Sequence, residues 1–140
     1  AAWPQELPLW VRSSATDWAP GGWDVPEAVR LAARLREAGA DLVDCSSAGA
    51  VATQQVATGP GYQVPFAERI RREAGVRTGA VGLITEPAQA DAVLRAGQAD
   101  VVLLGRVLLR EPHWPLRAAV ELGAEGPWPR QYLRGRPGSA

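Results

Sequence analysis

One joint occurs twice in this chain and limits the folds open to it more than any other feature. Ala38-Gly39-Ala40-Asp41-Leu42-Val43 returns as Ala96-Gly97-Gln98-Ala99-Asp100-Val101-Val102. Each copy puts a helix-ending glycine just before a run of β-branched and aliphatic residues that opens on an aspartate. Runs that are apolar on successive residues, rather than alternating, are how strands read when both faces are covered. The joint predicts a helix followed by a buried parallel strand, and predicts it in two places.

The rest of the chain falls into the same alternation. Pro8 to Ser13 reads as a first strand of Leu9, Trp10 and Val11 that ends on the charge of Arg12. Ser14 to Trp23 is a loop broken by Pro20-Gly21-Gly22. Asp24 is an N-cap, Pro26 sits in the first turn, and Glu27 completes a capping box for a helix carrying Val29, Leu31, Ala32 and Leu35. Asp41 to Ser47 is the second strand. Ala48 to Gln63 is a connection of the length that is usually functional or mobile. Pro65 starts a helix with Phe66, Ile70 and Ala74 on one face and Gly75 at its end. Arg77 to Leu83 is a glycine-rich third strand, and Thr85 is expected to cap the next helix, with Glu86 and Pro87 in its first turn. Val101 to Leu104 is the fourth strand. Gly105, Arg106 and a helix start follow it, and a last helix runs from Trp114 to Leu122.

Strand and helix alternating four times predict an α/β fold with a parallel sheet and right-handed crossovers. Four βα units are half of an eight-fold barrel. The expected architecture is therefore a half TIM barrel over residues 1–122, with a Pro- and Gly-rich extended tail over 123–140. The runner-up is an open doubly wound sheet, against which no G-x-G-x-x-G follows the first strand.

Composition removes several classes of function. The chain has 140 residues and a formal net charge of zero, which argues against a nucleic-acid surface held by bulk electrostatics. No apolar run is long enough for a membrane span, and no secretory signal is present. Cys45 is the one cysteine, so no internal disulfide framework or cysteine-rich zinc site is expected, and a reducing cytoplasm fits. All 15 basic residues are arginine, which excludes a Schiff-base lysine and a P-loop lysine. There is no methionine even at position 1, which points to a piece of a longer product. The Arg, Ala, Pro and Gly bias reads as that of a GC-rich genome.

In parallel α/β folds, ligands sit at the carboxyl ends of the strands. Those ends carry Arg12-Ser13, Cys45-Ser46-Ser47, Gly82-Leu83 and Gly105-Arg106. Gly82 and Gly105 end the last two strands, where barrels commonly build a phosphate site from backbone N–H groups. Arg106 would add a charge-assisted hydrogen bond. The alternative is that both glycines only permit tight turns, and spacing alone leaves the two readings open.

Five segments in order then resemble a known family: Trp10 to Asp17, Asp41 to Ser47, Gly61 to Glu68, Thr78 to Thr85, and Gly105 to Pro112. They are similar to the C-terminal half of the Old Yellow Enzyme family of FMN-dependent NAD(P)H oxidoreductases, most of all its bacterial NADPH dehydrogenase and ene-reductase subgroup. The resemblance covers about Leu7 to Arg136. It implies FMN as cofactor, NADPH or NADH as hydride donor, and an activated alkene such as an enone as small-molecule substrate. It implies that Arg12 lies beside the flavin ring and favours its anionic reduced form, with a barrel-interior ion pair as the competing role. It implies that Gly82, Gly105 and Arg106 hold the flavin phosphate, with Ser46 and Ser47 as weaker polar lining. Arg134, in Gln131-Tyr132-Leu133-Arg134-Gly135, matches an arginine that in this subgroup reaches a neighbouring subunit's site, so a homo-oligomer is implied. Its competing role is a disordered terminal charge.

The family's histidine pair, its proton-donating tyrosine and a loop over the ring belong to the first half of the barrel and match nothing here. The N-terminal half barrel is thus the expected partner, and this chain by itself is expected to be inactive, marginally stable and self-associating. Two other readings stay in view: a phosphate-binding half barrel of a non-flavin enzyme, and a non-catalytic truncated remnant. His113 and Cys45 are expected to be bland, one at the surface and one buried. Trp10, Trp18, Trp23, Trp114 and Trp128 are expected to be packing anchors. No metal site is expected.

Overall fold

A computed structural model describes residues 3–138. Its four strands form one sheet in the order β1-β2-β3-β4, all parallel, with β1 at Trp10–Ser14, β2 at Leu42–Ser46, β3 at Arg77–Ala80 and β4 at Val101–Val102. The helices between them are α1 (Val25–Glu37), α2 (Val64–Ala74) and α3 (Pro87–Arg95), followed by α4 (Arg106–Arg110) and α5 (Trp114–Glu121). A doubly wound sheet reverses its strand order at a switch point and carries helices on both faces. Here the order never reverses, and residues of all five helices join one buried cluster. The fold is α/β, the C-terminal half of a (β/α)8 barrel.

Local chemistry sets the helix limits. The Asp24 side chain accepts from Glu27 N at 2.9 Å, and the Glu27 carboxylate accepts from Asp24 N at 3.1 Å, so the expected capping box is present. Gly75 ends α2 with φ +65, a left-handed value that glycine adopts without Cβ strain. The cap of α3 differs from expectation. Glu86, not Thr85, is the N-cap, because Gln89 reaches back from the first turn to accept from Thr85 N at 3.1 Å.

Alternation along the strands sorts their side chains. Val43 and Cys45 pack against Ala28, Ala32, Ala67 and Ile70 on the helix side. Alanines at these contacts let the helices lie close to the sheet, and full burial of Ile70 contributes about 1.5–3 kcal/mol. Leu42, Asp44 and Ser46 therefore face the opposite side, the barrel interior. Register pairs Trp10 with Leu42, Arg12 with Asp44, Asp44 with Gly79, and Gly79 with Val101, so these residues share that interior face. Trp10 is 51% exposed there, which corrects its expected role as a packing anchor: the interior face of half a barrel has no opposite wall. Trp114 is buried, and Trp18, Trp23 and Trp128 are half-buried.

Strand limits shift for definable reasons. β1 runs on past Arg12 to Ser14, because Ser13 and Ser14 keep register with Cys45 and Ser46. β3 stops at Ala80, short of the expected Leu83, where the chain turns away from the sheet. β4 covers only Val101–Val102, although Leu103 N still donates to Ala80 O at 2.8 Å. The tail is not extended throughout, since a 3-10 helix occupies Arg130–Gly135. The long connection before α2 has no regular element, but it is tied to the β1 loop by Ala48 N to Thr16 O at 3.0 Å and Gln55 N to Trp18 O at 2.9 Å. No helix among the described residues is long and apolar enough to cross a membrane.

The capping box gives a first test. Asp24→Ala should lower unfolding free energy by about 1 kcal/mol, moving the urea midpoint without changing the slope. An unmoved midpoint would show that the box is not formed.

Candidate functional site

The carboxyl ends of the strands open into one cavity of about 240 Å3. Arg12, Ser46, Gly82, Gly105 and Arg106, all singled out from the sequence, line it together. Pockets that enclose a drug-sized ligand run to roughly 300–1,000 Å3, so this one has room for a small group and not for a whole ligand of that size. A larger ligand would continue along the open interior face past Arg12.

The turn after β3 builds one wall. Three successive carbonyls there are claimed from outside the sheet. Val81 O accepts from Gln63 Nε2 at 3.1 Å, Gly82 O from Gly61 N at 2.8 Å, and Leu83 O from Gln89 Nε2 at 3.3 Å. In a trans peptide unit the next residue's N–H points opposite to the carbonyl. The N–H groups of Gly82, Leu83 and Ile84 are thereby turned away from these ties, and none has an acceptor among the described residues. All three residues line the cavity. Successive N–H donors on a turn of this kind make a concave anion site. Leu83 is held at φ +52, which costs about 1–3 kcal/mol and persists only because its neighbours fix it.

Gly82 has φ +120, and a Cβ there would stand 2.9 Å from both Gln63 Nε2 and Tyr62 Cε1, so no other residue fits. Gly105 is different: its φ is −97 and a Cβ on it would meet nothing within 4 Å. It leaves room on the cavity side without being demanded by the protein's own packing.

The cavity's charge is one-sided. Arg12, Arg106 and Arg110 line it, and no carboxylate does. Arg106 and Arg110 stand one turn apart on α4, and neither has an ion-pair partner among the described residues. Five residues of helix add little dipole, so the attraction for an anion comes from the guanidiniums and the turn's N–H groups. Arg12 reaches the cavity from β1 while its Nε donates to Asp44 Oδ2 at 2.5 Å. The ion pair, posed from the sequence as one of two competing roles, is thus formed by a residue that also lines the cavity.

The other candidates are placed elsewhere. Ser47 is buried behind the wall, where it accepts from Trp18 Nε1 at 2.9 Å and donates to Gln63 Oε1 at 2.6 Å. It braces the residue that holds Val81 and does not line the cavity. Arg134 is exposed on the 3-10 helix, away from the cavity, and His113 is exposed before α5. Arg110, Gln63 and Asp44 were not singled out from the sequence. Only Arg110 left a local signal, its spacing of four from Arg106 on a helix.

A larger groove of about 740 Å3 lies between α5 and the 3-10 helix. It is mostly apolar, and its guanidinium, Arg117, is already bound to Glu111 at 2.6 Å and Glu121 at 2.7 Å. Those carboxylates raise the pKa of Arg117 and use up its charge, so the groove lacks the donors that the smaller cavity offers.

Residues 2–125 match the model of the NADH:flavin oxidoreductase / NADH oxidase family. An NADPH dehydrogenase of Geobacillus thermodenitrificans is 57% identical over 128 residues, which is 91% of this chain and 37% of that protein. An NADPH dehydrogenase of Bacillus subtilis is 46% identical over 128 residues, 91% of this chain and 38% of that protein. The chain thus spans little more than a third of these relatives. In fold it is similar to a solved 2-naphthoyl-CoA reductase, with TM-score 0.66 and 20% identity over 81% of this chain and 18% of that one. A dihydropteroate synthase of Xanthomonas albilineans gives TM-score 0.52 and 20% identity over 95% of this chain and 53% of that one.

Cys45 gives a test beside the site. Burial, and then the neighbouring Asp44 charge, push its thiol from an ordinary 9.0 up to about 12. The folded thiol should not react with a disulfide reagent at pH 8 and should react in denaturant. Between pH 9 and 12 the unfolded chain ionises this thiol while the folded chain keeps the proton, so stability should fall as pH rises through that window. Rapid labelling of the native chain would contradict the burial.

Proposed function

The chain belongs to the NADH:flavin oxidoreductase / NADH oxidase family, and we propose that its cavity grips the phosphate of FMN while Arg12 flanks the flavin ring. One observation carries this reading: three consecutive N–H groups without acceptors, and two guanidiniums without carboxylates, among the described residues line a single cavity. A phosphate monoester supplies the acceptors that these donors lack. The size of the cavity fits the phosphate and the beginning of the ribityl chain, and the ring would extend over the interior face toward Arg12.

In this reading Gly82, Leu83 and Ile84 donate from the backbone, and Arg106 and Arg110 neutralise the phosphate. Gly105 keeps the approach clear, and Ser46 adds a polar wall. Arg12 biases the ring's edge toward the anionic reduced form. When bound, the flavin would take hydride from NADPH or NADH and give it to an activated alkene such as an enone. His113 is the chain's one histidine and lies outside the cavity. The groups that hold the substrate's oxygen therefore come from a complementary half barrel, which pairs with the edges of β1 and β4. Without it the chain binds flavin weakly and does not turn over. Arg134 serves a neighbouring subunit's site in a homo-oligomer.

The test separates phosphate from ring. FMN and riboflavin are titrated against the chain alone and against the chain co-expressed with the remainder of the Geobacillus relative. FMN should bind more tightly than riboflavin. Arg106→Ala should cost FMN about 1.5–3 kcal/mol, roughly 10- to 100-fold in affinity, and leave riboflavin nearly unchanged. Equal losses for both flavins would remove the phosphate assignment, and no flavin binding in either preparation would remove the reading.

A further inference from the structure

The interior face holds a second charged group that the flavin reading does not use. Asp44 is 5% exposed and sits directly opposite Arg12 in the β1–β2 register. Its Oδ2 takes the Arg12 Nε–H. Its Oδ1 is buried and has no hydrogen-bond partner among the described residues. A carboxylate with half of its acceptor capacity unmet is costly to bury, and nothing else on this face repays it. Gly79 is its neighbour on β3 and brings no side chain, while Leu103 lies over that glycine where a Cβ would stand. Along its own strand it adjoins the buried Cys45 thiol. Among the described residues, Arg12 is the one cation bound to it.

The contact is one-pronged, and that decides its effect. A guanidinium carries five N–H donors, one on Nε and four on the terminal nitrogens. Asp44 engages only Nε, so all four terminal N–H groups remain for a ligand. The side chain of Arg12 is 60% exposed and would otherwise sweep many rotamers. Its anchor is fixed in the sheet. Fixing a long side chain before the ligand arrives removes an ordering cost from binding.

We propose that Asp44 is the positioning residue of Arg12, aiming its terminal N–H groups at the flavin edge and setting how much positive charge that edge meets. The inference rests on the flavin reading and deepens it. The ring faces a partly compensated ion pair rather than a lone arginine, so the reduced flavin is stabilised less than Arg12 alone would stabilise it. Asp44 thereby holds the reduction potential down.

The experiment measures the midpoint potential of FMN bound to the full chain, in whichever of the two preparations above binds flavin. Asp44→Asn keeps the shape and removes the charge, and should move the potential to a more positive value. In an Arg12→Ala background the same substitution should move the potential less, because only the direct field of the Asp44 charge then remains. Should Asp44→Asn fail to fold, Asp44→Glu carries the test, since it keeps the charge but shifts the carboxylate along the Arg12 side chain. Its potential should differ from wild type, whereas a merely structural role leaves it unchanged. A merely structural Asp44 would lower the melting temperature without moving the potential. A folded Asp44→Asn with the wild-type potential, or a shift that is equally large without Arg12, overturns the inference and leaves the flavin reading intact. Failure of the wild-type chain to bind flavin in either preparation overturns both.

Discussion

The parallel ladder between neighbouring strands fixes the height at which each one ends, and the site is a consequence of those heights. Ser14 stands level with Ser46, and Cys45 with Ala80, so the chain leaves the sheet at nearly the same level after β1, β2 and β3. Ala80 is level with Val102, and the Leu103 N–H bond to Ala80 carries β4 to the same rim. A slip of one residue in any pair would send Arg12 or Asp44 to the helix side, into a core of alanine, valine and isoleucine where neither charge could be met. Burial of the apolar face thus sets the register, and the register sets the site.

Electrostatics at the rim are divided by depth. At the surface of the cavity stand guanidiniums and unpaired backbone N–H groups, with no carboxylate among them. One layer down, Asp44 is withdrawn from the cavity and reaches it only through Arg12. An anion arriving at the mouth meets donors alone, while the negative charge is spent behind them. A second layer of neutral ties holds the donors in place. Trp18 from the β1–α1 loop, and Ser47 and Gln63 from the two ends of the β2–α2 loop, run to the Val81 carbonyl, and Gly61 and Gln89 hold the next two carbonyls. The long connection before α2 earns its length here, since its end supplies both Gly61 and Gln63.

Much of this was legible because it is local. The repeated glycine joint, the Asp24–Glu27 box and the apolar runs each act over a few residues, and all three appear where the sequence places them. Gly82, Gly105 and Arg106 were legible as residues just past strand ends, whereas Arg12, read as the charge closing a strand, sits within β1, which continues to Ser14. What was not legible depends on register or on loops folding back. Arg12 and Asp44 are 32 residues apart, and their pairing needs the β1–β2 alignment. Gln63 reads as loop polarity, and Ser47 as polar lining of the site, until their hydrogen bonds are seen. Trp10 reads as a core residue because its pattern suits a closed barrel, whereas the sheet here is open on that side.

The account's central claim is that the backbone of the turn after β3, together with α4, receives an anion. Amide NMR of the isotopically labelled chain, titrated first with inorganic phosphate and then with FMN, tests it most directly. The amide signals of Gly82, Leu83, Ile84, Gly105 and Arg106 should move with both additions and be the largest movers with phosphate. Movement confined to the groove beside α5, with these five amides still, would contradict it.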